Sequence, residues 1–137
     1  MIVADTGAVL GLLDADDRHH KVLRVLFEED PTAWVLPWAI LPEVDYLART
    51  HLGPKVADAF CEDLAAGAFV VEWGKPADLE RAEELNRRHR ALGLGLVDAV
   101  VMAVAERCRA EAIATLDLRH FAAVRLAGNI RLLPRDL

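Results

Sequence analysis

Short, almost wholly apolar runs alternate along this chain with longer stretches whose apolar residues recur every three or four positions. The short runs, 2–4, 34–36, 69–71, 112–115 and 130–133, predict buried strands. Segments 8–13 and 18–29 carry helical spacing, the second with a stripe of Val22, Leu23, Leu26 and Phe27 that stops at Pro31. Pro37 leads into a predicted helix over 38–49, and a further helix over 55–66 closes at Gly67. A charged helix is expected over 77–89, with Leu79, Ala82 and Leu85 among its few apolar positions. A strongly apolar helix follows over 96–108, and a single helical turn near His120. Strands alternating with helices, the strands apolar throughout, predict a parallel α/β sheet with helices on both faces. No repeat or linker interrupts it, so residues 1–137 are expected to form one domain.

Composition narrows the class. A hydrophobic content of 54% and a mean hydropathy of +0.21 suit a packed core and exclude disorder. Cys61 and Cys108 match no metal or redox spacing and are expected to be small core residues in a reducing compartment. The apolar start carries Asp5 and no basic flank, which makes it a poor signal peptide. The apolar run 94–105 is too short for a bilayer and contains Asp98, so a cytoplasmic protein without membrane attachment is expected. A net charge of -6 opposes indiscriminate adhesion to nucleic acid. It leaves nucleic acid open as a substrate, because bound cations reverse the sign of an acidic pocket.

Most acids stand where solvent reaches them, but four do not. Asp5 and Asp117 each follow an apolar strand, and in a parallel sheet the carboxyl ends of the strands share the edge where ligands bind. Each could instead simply cap the helix that follows. Asp98 is the one charged residue in the run 94–105, and its neighbours three and four positions away are nonpolar. Unless it caps a helix that starts late, it must be neutralised, hydrogen-bonded or bound to a cation. Glu43 falls on the inward stripe with Ile40, Val44 and Leu47, whereas Asp45 and Arg49 point away. Carboxylates gathered in one partly desolvated place repel one another unless a cation joins them. Hard oxygen ligands without cysteine favour Mg²⁺ or Mn²⁺ over zinc. Such a pocket suits phosphodiester hydrolysis.

In order and spacing, these pieces resemble the PIN domain, and specifically the VapC-type toxins of toxin–antitoxin pairs. The likeness rests on Asp5-Thr6 after the first strand, helix-borne Glu43, Asp98 in Gly95-Leu-Val-Asp-Ala99, and Thr115-Leu-Asp-Leu-Arg-His-Phe121. The resemblance implies a PIN-like parallel sheet and a Mg²⁺- or Mn²⁺-dependent endoribonuclease acting on RNA. It also implies a cognate antitoxin and a homodimer. Asp5, Glu43, Asp98 and Asp117 would then be the metal set, and Thr115, with Thr6, would order a metal-bound water. Arg87, Arg88 and Arg90, with Arg119 and His120 beside Asp117, are candidates to contact phosphates next to the scissile bond. The basic run can equally serve as a solvated helix end. Trp38 and Tyr46 are expected to pack in the core rather than to stack on bases. An antitoxin tail is expected to lie near Trp38 and Leu41 and to reach towards Asp5 and Asp98 with a basic side chain.

Other readings fit less of the chain. Asp5-Thr6-Gly7 matches the retroviral-type aspartic protease triplet, but that fold is nearly all β. Haloacid-dehalogenase-like phosphatases need a second Asp where Gly7 stands, and a receiver domain needs an acidic pair at the first strand end. The alternatives that remain are a PIN-fold binding module and an RNA-processing nuclease with no antitoxin.

Overall fold

A computed structural model describes residues 1–137. Strands β1 (Ile2–Ala4), β2 (Trp34–Pro37), β3 (Val70–Glu72), β4 (Ala112–Ala114) and β5 (Arg131–Leu133) form one sheet in the order β3-β2-β1-β4-β5. All four pairings are parallel. Helices α1 (Thr6–Leu13), α2 (His20–Glu29), α3 (Leu41–His51), α4 (Pro54–Ala65), α5 (Pro76–Arg88), α6 (Gly95–Arg107) and α7 (Leu118–Phe121) connect the strands and cover both faces. The three central strands are therefore buried at every position, while the edge strand β3 is not. This is the architecture the apolar runs predict, with element ends displaced by one or two residues. The segment expected as one helix from Trp38 divides into a 3₁₀ turn, Trp38–Ile40, and α3.

The core joins the sheet to the inner stripes of the helices. Leu23 of α2, Val44 of α3, Phe60 of α4, Leu85 of α5 and Met102 of α6 are all fully buried or nearly so. Gly11 permits α1 to approach α2 closely, since a Cβ there would stand 2.6 Å from Leu23 Cδ1. No helix is long and apolar enough to cross a membrane.

Several expectations about individual side chains are corrected. Trp38 and Tyr46 are exposed, at 49% and 68%, and Trp38 packs at a tilt against Trp73, also exposed, with ring centroids 4.9 Å apart. Cys61 is exposed and Cys108 half-buried; both are free thiols. Leu79 of α5 is exposed, and Asp78 takes the inward position with Ala82 and Leu85. Asp78 tolerates this because Arg107 of α6 donates to it in a fork, at 2.7 and 3.0 Å, and reaches Glu72 at 2.7 Å. Arg81 and Glu106 form a second tie between the same helices.

Candidate active site

The register of the two central strands starts the site. Ala4 pairs with Ala114, so the next residues, Asp5 and Thr115, abut at the carboxyl edge of the sheet. Both are buried, at 3% and 1% exposure. Thr115 Oγ1 donates to Asp5 Oδ2, and Asp5 Oδ1 accepts from the Ala8 backbone N–H at 2.8 Å. The same Thr115 oxygen accepts from the Asp117 N–H at 3.0 Å, so one hydroxyl positions two acidic segments. Asp117 in turn caps α7, accepting from the His120 N–H at 3.2 Å. Both strand-end acids thus cap helices and line the same cavity.

The other acids arrive from helices. Glu43 lies in the first turn of α3, half-buried beside the buried stripe of Leu41, Val44 and Ala48. Asp98 lies in the first turn of α6, which begins at Gly95, so it is not a late cap. That start is held by Asn86, whose side chain accepts from the Gly95 N–H and donates to its carbonyl, while Gly95 supplies a φ of 81°. Asp5, Glu43, Asp98 and Asp117 all line one cavity of about 430 Å³, together with Thr6 and Gly7.

Electrostatically the cavity is under-compensated. Burial, helped by the neighbouring Asp98 and Asp117, pushes the Asp5 carboxyl up to about 7 despite its two hydrogen bonds. Burial also raises Asp98, against the pull of its bond to His120. His120 is raised in response, chiefly by that bond. No lysine or arginine lines the cavity. Thr6, also buried, has an Oγ1 with no hydrogen-bond partner. An acid set without its own cation, beside an orphaned hydroxyl, fits a hard divalent ion.

The basic candidates separate. Arg90 enters no ion pair and, with Arg87, lines a second cavity that shares Leu94, Gly95 and Leu96 with the acidic one. Arg87 holds Glu83 loosely at 3.3 Å, whereas Arg88 is turned to Glu84 at 2.8 Å and lines neither cavity. Arg119 is exposed. His120 does not face outwards as a phosphate contact; its ring lies against Asp98 and Asp117. Its place was readable from Asp117-x-x-His120, a spacing that brings both side chains to one face of a helical turn. Leu41 is buried and cannot line a docking groove as expected.

Comparison with known proteins gives the same picture. Residues 2–126 match the PIN domain. Ribonuclease VapC26 of Mycobacterium tuberculosis is 31% identical over 130 residues, spanning 95% of this chain and 96% of that protein. Among solved structures, M. tuberculosis VapC20, described as a sarcin-ricin loop cleaving toxin, superposes with a TM-score of 0.81 at 24% identity, covering 92% of this chain and 96% of that one. The DNA-bound VapBC of Salmonella typhimurium gives 0.71 at 20% identity, with 96% and 97% covered. The fold, the spacing of the acids and the sequence match agree, and the chain belongs to the PIN-domain family, as a VapC-type member.

Proposed function

We propose that this chain is a divalent-metal-dependent endoribonuclease and the toxin of a toxin–antitoxin pair. The observation that carries the reading is the meeting of four carboxylates, from four separate segments, in a cavity lined by no basic side chain. Asp5, Glu43, Asp98 and Asp117 would hold Mg²⁺ or Mn²⁺. When bound, such a cation activates water and stabilises the leaving oxygen of a phosphodiester. Thr115 keeps Asp5 and the Asp117 segment in place. Its hydroxyl is committed to those bonds, which leaves Thr6 as the free hydroxyl for ordering water. Arg90 and Arg87, across the shared wall of Leu94–Leu96, would take the phosphates flanking the scissile bond, with Arg119 at the outer rim.

A relative that is a VapC ribonuclease supports the toxin role. The same acidic mouth would accept an antitoxin guanidinium as a forked pair that displaces the cation. A homodimer belongs to this reading and is checked by sedimentation. The activity is tested by incubating the EDTA-stripped protein with RNA, then restoring Mg²⁺ or Mn²⁺. Cleavage should appear only with metal and should be absent in Asp98→Asn, whose circular dichroism stays unchanged. Full cleavage in EDTA would overturn the reading.

A further inference from the structure

An oxygen-only site leaves His120 without a role, yet its ring stands inside the cluster. Nδ1 is 2.8 Å from Asp98 Oδ2 and 3.2 Å from Asp117 Oδ2. One donor atom from each of the three residues lies within 4.8 Å of the others. Adjacent ligands of a six-coordinate ion with arms of about 2.1 Å stand about 3.0 Å apart, so the two histidine contacts bracket the spacing a shared cation needs. Independently, the partnerless Thr6 hydroxyl, in a residue only 7% exposed, belongs to a residue lining the cavity with Asp98 and Asp117.

We infer that His120 Nδ1 is a nitrogen ligand of the divalent cation held by Asp98 and Asp117. This rests on the reading of the cavity as a cation site. It makes the centre a mixed nitrogen–oxygen one, and that composition favours Mn²⁺ over Mg²⁺, which demands hard oxygens and a near-ideal octahedron. The histidine is neutral, its proton on the nitrogen away from the metal, so binding needs no further reagent. The one-turn helix α7 sets the geometry, because Asp117 caps it and His120 lies three residues on.

Pulsed electron paramagnetic resonance on the full chain, stripped of metal and reloaded with Mn²⁺, tests this directly. His120 is the one histidine grouped with the Asp98 and Asp117 carboxylates, so a histidine signal has one source. The expected result is a coupled nitrogen that changes isotope signature when the protein carries ¹⁵N-histidine and that vanishes in His120→Gln. Calorimetry on that variant should show Mn²⁺ affinity down about tenfold or more and Mg²⁺ affinity changed less than about threefold. Bound Mn²⁺ without histidine coupling in the unaltered protein would overturn the assignment while leaving the carboxylate site standing. Failure to bind Mn²⁺ at all would overturn both. Coupling that survives in His120→Gln would remove His120 from the metal.

Discussion

Two aspartates in this molecule are buried to the same depth and behave in opposite ways. Asp78, 4% exposed between α5 and α6, is held below the usual carboxylate range, because the fork from Arg107 and the Lys75 N–H outweigh the cost of burial. Asp5, 3% exposed at the sheet edge, is pushed up to about 7, because burial raises it, only neutral donors oppose that, and further acids face it. Burial alone therefore says little about what an acid does. The presence or absence of a cation supplied by the fold separates the structural aspartate from the one proposed to be reactive.

The largest expected effect lies at the reactive site. Asp5→Asn or Asp98→Asn should lower RNA cleavage at least about a thousandfold, on the order of 4 kcal/mol of transition-state stabilisation. Arg107→Met should leave cleavage per folded molecule within a few-fold. Single-turnover assays separate the two cases, and a large loss from Arg107→Met would erase the distinction.

Stability should show the reverse pattern. Arg107→Met strands Asp78 and is expected to cost about 3 kcal/mol in urea unfolding. Adding Asp78→Leu should recover most of that loss, since the pair would be replaced by apolar contact. A loss below about 1 kcal/mol would mean that Asp78 escapes to solvent.

A smaller effect concerns pH. Asp5 has a folded pKa of about 7 against 3.8 for a free aspartate, so between these values the folded state holds more protons than the unfolded one. The stabilisation that Asp5 lends is complete below pH 3.8 and is lost as pH rises through about 7. Asp98 and His120, both raised, act in the same direction. Asp78, lowered, does the opposite and loses its contribution as pH falls. The unfolding free energy of the metal-free protein should therefore fall from pH 5 to 8, with about 1 kcal/mol of the loss recovered by Asp5→Asn at pH 8. An unchanged slope in that variant would remove Asp5 as the cause.

The smallest expected effect is at Arg90. Arg90→Ala should weaken RNA binding a few-fold and lower the slope of log affinity against log salt by about 1. The paired Arg88, changed in the same way, should leave the slope almost untouched.

The fold was legible in the sequence because the strands are buried on both faces and appear as unbroken apolar runs. Asp5, Asp98 and Asp117 were visible because each interrupts or ends such a run, and Glu43 because it shares a helical stripe with core residues. Asp78 was hidden by its surroundings. It sits among the acids of α5, and its partner Arg107 is 29 residues away, so nothing local separates it from solvated neighbours. The spacing Asp78, Ala82, Leu85 held the clue, since those residues share a face that Leu79 does not. Trp38 and Tyr46 were misplaced for the converse reason: ring size argues for burial, but the 3₁₀ turn carrying Trp38 and the α3 face carrying Tyr46 both open to solvent.

Calorimetric titration of Mn²⁺ into the metal-free protein near pH 6.5, repeated in buffers of different ionisation heat, tests the central claim most directly. If the cavity is an acid set awaiting a cation, Mn²⁺ binds and drives protons off the raised carboxyls, so the observed heat follows the buffer. Asp98→Asn should abolish or greatly weaken that binding, whereas Arg107→Met should preserve it. Equal Mn²⁺ binding in the unaltered protein and in Asp98→Asn, with no release of protons, would contradict the account.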